Sequence, residues 1–383
     1  MENTKTESTI GKTIRCKAAL CRKAGEALVI EEIEVAPPEA YEVRIKILCT
    51  SLCHSDVTFW KMDGPLPRIF GHEAIGVVES IGENVNEIKE GDCVIPYFLA
   101  DCQECEDCSS EKSNMCVKFP FTVAPGMPRD GTSRFKSLDG ETIHDFLSVS
   151  SFSEYTVVDT SHVVKITGDI PSEKACLLGC GISTGVGAAW KVANVHKGSR
   201  VAIFGLGTIG LAVAEGARLC GASKIIGVDL NPEKFEIGKK LGLTDFINPN
   251  DCGGRAVSEI ITEMTNGGAD YCFECIGLAS LMNEAFCSSR KGWGKTIILG
   301  VEMHGAPLTI SATDILGGKS IMGSLFGGIK AKTDIPILAK RYLDKELHLD
   351  EFITHEVEFQ DINKAFDLLL QGKSLRCIIW MNK

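Results

Sequence analysis

Four cysteines lie close together, Cys102, Cys105, Cys108 and Cys116, spaced C-x2-C-x2-C-x7-C among turn-forming residues such as Asp101, Ser109 and Ser110. Four thiolates on so short a lobe suit a closed tetrahedral zinc site, which holds shape and leaves no position for water or substrate. An iron–sulfur cluster uses the same four thiolates and is the competing reading. A nucleic-acid-binding finger is disfavoured, because 40 Lys+Arg stand against 51 Asp+Glu for a formal net charge of −11, and phosphate binding runs on Lys and Arg. A second set is dispersed: Cys53 in Cys53-His54-Ser55-Asp56, His72 and Glu73 in Gly71-His72-Glu73, and Cys180 in Gly179-Cys180-Gly181. Two cysteines and one histidine would leave a fourth zinc position open, as catalysis requires. On spacing alone the plainer reading is stronger, with His72 a structural histidine and Cys180 a small core residue.

A third pattern is Gly205-Leu206-Gly207-Thr208-Ile209-Gly210, directly after the apolar run Val201–Phe204 and before a helical stretch. In that context the glycines serve a tight turn, close approach of a pyrophosphate and helix packing. The helix N-terminus adds amide donors and partial positive charge. Asp229 stands 19 residues after Gly210, where a carboxylate accepts from both ribose hydroxyls and repels a 2′-phosphate, so NAD(H) is favoured over NADP(H). Lys234 is placed to approach the adenosine ribose.

The elements that must position these residues come in two textures. From about 14 to 180, short runs rich in Val, Ile and Thr alternate with Gly, Pro and charged turns, as in Glu42–Leu48, and predict a mostly β domain. From about 199 to 325, apolar strands alternate with amphipathic helices: strands at 200–204, 224–228, 245–247, 269–274 and 295–299, helices at 208–219, 232–241, 255–264 and 278–288. That alternation predicts parallel βαβ units and a doubly wound sheet. The expected domains are a catalytic domain over 1–181 with its zinc lobe at about 98–120, an NAD-binding Rossmann domain over 182–325, and a return to the catalytic domain over 326–383, where 375–380 is strand-like. Met1–Thr13 is polar and does not read as a secretory signal. The longest apolar stretch, Val201–Ala214, falls short of the roughly 18 to 20 residues that span a bilayer. A cytoplasmic, non-membrane protein is expected, in which 17 cysteines are metal ligands plus buried thiols rather than disulfides.

Taken together these residues resemble the zinc-dependent medium-chain alcohol dehydrogenase family, most closely its plant alcohol-dehydrogenase-like branch. The likeness runs from Lys17-Ala-Ala19 through Gly71–Gly76, Ser183–Trp190, Gly227–Pro232 and Gly323–Gly328 to Leu375-Arg376. It implies a GroES-like catalytic domain beside the Rossmann domain and two zinc ions per chain. Cys53, His72 and Cys180 would hold the catalytic zinc, with Glu73 behind it as a transient ligand; Cys102, Cys105, Cys108 and Cys116 would hold the structural one. Ser55 would bond the substrate oxygen and pass on its proton, and Phe98 would line the substrate pocket. Leu299, Gly300 and Val301 would lie beside the nicotinamide of NAD, with Phe326 and Arg376 approaching it and the pyrophosphate. Two positions depart from the family pattern. His54 stands where several members clamp the pyrophosphate with arginine, and Thr58 where many end a proton relay with histidine.

The resemblance implies reversible hydride transfer between a primary or secondary alcohol and NAD+, giving aldehyde or ketone. Two alternatives keep the scaffold: a cyanohydrin-cleaving lyase with NAD as a structural part, and a zinc-thiolate redox sensor drawing on cysteines outside the ligand sets. The expected partners are a small alcohol or aldehyde and a second copy of the chain in a homodimer, joined through the strand-like stretch 320–326; no nucleic acid and no membrane are expected.

Overall fold

The structure is a computed structural model and describes residues 9–381; part of the polar leader Met1–Thr13 lies outside the described residues. Two compact units form. The first runs up to Cys180 and resumes over Lys330–Leu343 and from Ile353 on; the second comprises Gly181–Ile329 and Asp344–Phe352.

The first unit is mostly β. One sheet has five strands, ordered Arg68–Ile69, Ile14–Cys21, Val29–Val35, Phe135–Ser137, Thr142–Ile143. The other places Val163–Lys165, Cys93–Pro96, Glu73–Ile81, Glu42–Ser51, Arg376–Trp380 and Ile353–Glu358 in that order, with Tyr155–Asp159 also on Glu42–Ser51. The strand Glu42–Ser51 is central, and its alternate residues Val43, Ile45 and Ile47 are buried while Lys46 between them is exposed, as an antiparallel strand with one face on the core requires. Its register decides where the chemistry falls. Ser51 pairs with Glu73 on one side and with Ile378 on the other, so Cys53, His72-Glu73 and Arg376 arrive together from three distant parts of the sequence.

The second unit carries one parallel sheet, ordered Asp245–Ile247, Lys224–Val228, Arg200–Phe204, Tyr271–Glu274, Lys295–Ile298, Ser320–Gly323. Numbered within the unit this is the 3-2-1-4-5-6 order of a dinucleotide-binding Rossmann sheet. The helices Thr208–Leu219, Lys234–Lys240, Val257–Met264 and Ala279–Ser288 supply the crossovers. Between the Arg200–Phe204 strand and the next helix, Gly205 takes φ +89°, and a Cβ on Gly210 would lie 1.8 Å from the Gly205 carbonyl oxygen, so this turn closes only with glycine there.

The expected return over 326–383 is interrupted. Residues 326–329 and 344–352 group with the second unit, and Glu215 holds the latter there: its buried carboxylate accepts the His348 N–H at 2.8 Å and pairs with Arg218, which donates to the Glu346 carbonyl at 2.5 Å. Among the described residues no single helix is long and apolar enough to cross a membrane.

Candidate active site

Cys53 ends the loop after the central strand and caps the helix His54–Trp60. The third residue of that helix, Asp56, is wholly buried. Its Oδ2 accepts the Cys53 N–H at 3.0 Å, and its Oδ1 accepts the Gly71 N–H at 3.1 Å and meets His72 Nδ1 at 2.9 Å. One carboxylate therefore fixes both the cysteine loop and the histidine ring. With Nδ1 engaged, Nε2 is the ring nitrogen left for a metal. The Thr50 hydroxyl donates to the Glu73 carbonyl at 2.8 Å, pinning the start of the next strand. Cys180 is delivered by close backbone approach: a Cβ on Gly179 would meet the Pro96 carbonyl oxygen at 3.1 Å and Glu73 Cα at 3.6 Å.

The ligand atoms of Cys53, His72, Glu73 and Cys180 lie within 4.8 Å of one another, and all four residues are buried. The pair of thiols shares a proton unevenly. Hydrogen bonding with Cys180, with Arg376 and His72 alongside, holds Cys53 well below the usual thiol range despite burial, while contact with ionised Cys53 and burial push Cys180 up. His72 is pushed well above its ordinary value: burial, which lowers it, is outweighed by the charges of Asp56 and Cys53. Arg376 clamps Glu73 in a bidentate pair, Nε to Oε2 at 2.8 Å and Nη2 to Oε1 at 2.7 Å, and Nη2 also reaches Cys53 Sγ at 3.4 Å. Burial nonetheless leaves the Glu73 carboxyl above the usual carboxylate range. Soft thiolates, an oriented imidazole and a tethered carboxylate are donors that suit zinc.

The rims of the His72 ring are aromatic. Phe98, buried just past the strand Cys93–Pro96, stands edge-on at 6.0 Å, and Phe146 does so at 5.9 Å. Ser55 is half-buried in the first turn of the helix after Cys53, and His54 beside it is exposed. Thr58 donates its hydroxyl to the His54 carbonyl at 3.0 Å, a bond within its own helix.

The other cysteines, Cys102, Cys105, Cys108 and Cys116, also bring their sulfurs within 4.8 Å of one another. Backbone donors surround them: Cys105 N–H to Cys102 Sγ at 3.4 Å, Cys108 N–H to Cys105 Sγ at 3.4 Å and Phe119 N–H to Cys116 Sγ at 3.3 Å. Against burial, which raises it, the N–H groups of Cys108 and Val117 bring Cys105 down to about 6, whereas burial pushes Cys108 up. Lys330 Nζ donates to the carbonyls of Asp107 and Cys108 at 3.0 and 2.6 Å and ties the lobe down.

In the second unit Leu206 and Thr208 are buried, Gly207 is exposed and Ile209 is half-buried along the glycine turn. Asp229, just past the strand Lys224–Val228, accepts the Leu206 N–H at 2.7 Å, the Asn231 N–H at 2.9 Å and Lys234 Nζ at 2.9 Å. The turn and its acidic residue are thus locked together. Leu299 and Gly300 donate their N–H groups to the Glu274 carbonyl at 2.9 and 3.1 Å; Val301 is 67% exposed, and Phe326 is buried with φ +53°. The sequence reading gave no role to Asp56, Phe146 or the Arg376–Glu73 clamp. For Asp56 a signal existed: an acidic residue three past a ligand cysteine, at the third position of a helix, can reach back to cap it.

A Rossmann unit in one chain with a β unit that bears an open-type Cys/His cluster and a four-cysteine lobe is the construction of a two-domain zinc-binding dehydrogenase. Residues 39–168 match the family model described as alcohol dehydrogenase GroES-like domain, and residues 208–342 that described as zinc-binding dehydrogenase. The chain is 64% identical to alcohol dehydrogenase-like 7 of Arabidopsis thaliana over 97% of its own length and 96% of the relative's. It is 51% identical to alcohol dehydrogenase 1 of Petunia hybrida over 98% and 99%. Its fold is similar to the crystal structure of an alcohol dehydrogenase zinc-binding domain protein from Burkholderia ambifaria, with TM-score 0.90 and 30% identity over 97% of this chain and 100% of that one. The chain belongs to the zinc-dependent medium-chain alcohol dehydrogenase family, of plant type.

Proposed function

We propose that the chain transfers a hydride reversibly between a primary or secondary alcohol and NAD+, forming an aldehyde or ketone. The observation that carries this reading is the buried convergence of Cys53, His72, Glu73 and Cys180, with His72 already oriented by Asp56 at 2.9 Å. Cys53, His72 and Cys180 would hold a catalytic zinc, and Cys102, Cys105, Cys108 and Cys116 a structural one. When bound at the first site, zinc supplies Lewis acidity that lowers the pKa of a bound alcohol. Ser55 accepts the alcohol proton. Glu73, tethered by Arg376, balances the charge beside the ligands and serves as a transient ligand. Phe98 lines the substrate pocket and keeps it dry.

On the cofactor side, the turn Gly205–Gly210 receives the pyrophosphate and Asp229 with Lys234 the adenosine ribose. Leu299, Gly300, Val301 and Phe326 flank the nicotinamide. His54 and Arg376 serve the pyrophosphate. His54 stands in place of an arginine fork and offers the pyrophosphate fewer hydrogen-bond donors. The working unit is a cytoplasmic homodimer.

The test is zinc content per chain, followed in the same sample by absorbance at 340 nm with NAD+ and a panel of alcohols. Two zinc ions with NADH formation support the reading. A Cys53→Ser variant that keeps its zinc and its full activity sinks it, and tightly held NAD with no NADH from any alcohol favours the cyanohydrin-cleaving alternative.

A further inference from the structure

The parallel sheet of the second unit reverses its strand order between Arg200–Phe204 and Tyr271–Glu274, which run side by side with Phe204 opposite Glu274. At such a reversal an open parallel sheet receives its ligand, outside the carboxyl ends of the strands. Glu274 is the last residue of its strand, and two turns are built on it. Its main-chain carbonyl accepts the N–H groups of Leu299 and Gly300, and its Oε1 accepts those of Ile276 and Gly277 at 2.9 and 2.8 Å. The turns meet with no room for side chains. A Cβ on Gly300 would lie 2.0 Å from the Gly277 nitrogen and 2.5 Å from Glu274 Oε2, and one on Gly277, where φ is +95°, would lie 2.4 Å from the Val301 carbonyl oxygen. The carboxylate therefore abuts the 299–301 turn directly.

Glu274 is wholly buried, and its Oε2 has no hydrogen-bond partner among the described residues. No basic side chain bonds to either of its oxygens among those residues. Burial holds the carboxyl above the usual carboxylate range, while the N–H groups of Gly277, Ile276, Leu278 and Gly300 oppose that by favouring the ionised form. A buried negative charge without a counter-ion is costly to the fold. The hydrogen bonds do not account for it, because an uncharged glutamine would offer the same acceptor to Ile276 and Gly277. The charge itself needs a partner, and the 299–301 turn is what stands next to it.

We propose that Glu274, acting through the 299–301 turn that it carries, is the counter-charge for the cationic nicotinamide ring of NAD+ and biases the chain toward holding NAD+ over NADH. The proposal rests on the reading that sets Leu299, Gly300 and Val301 beside the nicotinamide. The oxidised ring carries one positive charge, and the hydride that it accepts brings two electrons with one proton and cancels that charge. The attraction to Glu274 is thus spent on NAD+ and absent from NADH, which leaves more readily. Inside the protein such an attraction is screened far less than at the surface.

Full-length, zinc-loaded Glu274→Gln and Glu274→Asp are compared with the unaltered chain, and Kd for NAD+ and for NADH is taken by titration calorimetry, which needs no turnover. For Glu274→Gln, Kd for NAD+ rises about fivefold or more while that for NADH stays within about twofold, as expected for the loss of one charge partner. Glu274→Asp keeps the charge but shortens the reach to Ile276 and Gly277, so both Kd values rise together and their ratio holds. Equal rises for both cofactors in Glu274→Gln, or no rise in either, reduce Glu274 to a support for the turns and overturn the proposal. If both cofactors bind but no alcohol is oxidised, the ratio still decides the proposal and only the hydride-transfer reading falls. If neither binds the unaltered chain, the cofactor reading falls and the proposal with it. Should Glu274→Gln fail to fold, the unaltered chain is titrated with NAD+ and with a dinucleotide bearing benzamide in place of nicotinamide, flat but uncharged. Tighter binding of NAD+ supports the proposal, and equal or weaker binding overturns it.

Discussion

A histidine that ligates a metal needs its second ring nitrogen held, or the ring turns and the tautomer drifts. In this chain Asp56 does the holding, and it fixes the Cys53 loop with its other oxygen. Asparagine at this position keeps the shape but removes the charge that favours a metal-bound imidazole. Asp56→Asn is expected to lose metal affinity or kcat/KM by about 10- to 100-fold, read from zinc retention against a chelator and from steady-state rates. Unchanged values in both would show that the loop alone places His72. Glu73 and Arg376 make the complementary case, because each is buried and each is the other's charge partner. Removing either leaves the other's charge uncompensated. The melting temperature of the metal-free Asp56→Asn protein should fall as well, because Asp56 also holds the Cys53 and Gly71 N–H groups.

At the scale of elements, the site depends on strand register, and register depends on what pins the strands. Arg44, in the central strand, is fully buried and donates to Glu79 on the neighbouring strand at 2.6 Å, besides the carbonyls of Lys12 and Ala36. Burial alone would raise the Glu79 carboxyl, but hydrogen bonds from Arg44, Thr9 and Ser80 bring it below the usual carboxylate range. A group depressed on folding stabilises the fold above its unfolded pKa, and that contribution is lost as pH falls through its folded pKa. Acid unfolding should therefore steepen below pH 4.5, and Glu79→Gln should flatten that limb while costing about 1.5–3 kcal/mol at neutral pH, read from denaturant melts across pH. A variant with an unaltered acid limb would remove Glu79 from the account. The four-cysteine lobe has only a small core, Ala100, Cys108 and Cys116 with Phe119 packed against it, so the proposed metal would supply much of its order. Cys105→Ser is expected to open the lobe to protease near residues 102–118 and to leave the Rossmann unit intact. The same contrast explains what sequence makes legible. The Rossmann elements are announced locally, and the strand Arg200–Phe204 and helix Thr208–Leu219 have the bounds that hydrophobic period and glycine turn indicate. Cys53, His72 and Arg376 meet because Ser51 pairs with both Glu73 and Ile378, and Cys180 joins them by the approach of Gly179 to Pro96 and Glu73. No local pattern encodes an antiparallel register between segments hundreds of residues apart, which is why family resemblance rather than spacing gathered the ligands and why Arg376 was not expected to clamp Glu73.

For the whole molecule the open question is how the parallel sheet ends. Its last strand, Ser320–Gly323, pairs on one side only, with Lys295–Ile298. Exposed apolar side chains lie in it and beside it in sequence: Leu316 is 88% exposed, Met322 37% and Leu325 37%. An unpaired strand edge with apolar surroundings is a template for another strand and a liability for a lone chain. A second copy related by a two-fold axis would cover it with the same surface and close the assembly instead of propagating it. Light scattering after gel filtration should therefore give twice the chain mass at micromolar concentration. Leu316→Glu combined with Met322→Lys should shift the protein to single-chain mass, because two charges would be buried without partners at the shared surface. Circular dichroism checks that the fold survives. If the unaltered protein runs at single-chain mass, or if the double variant stays a dimer, the edge strand is not the interface and the exposed apolar residues around it need another explanation.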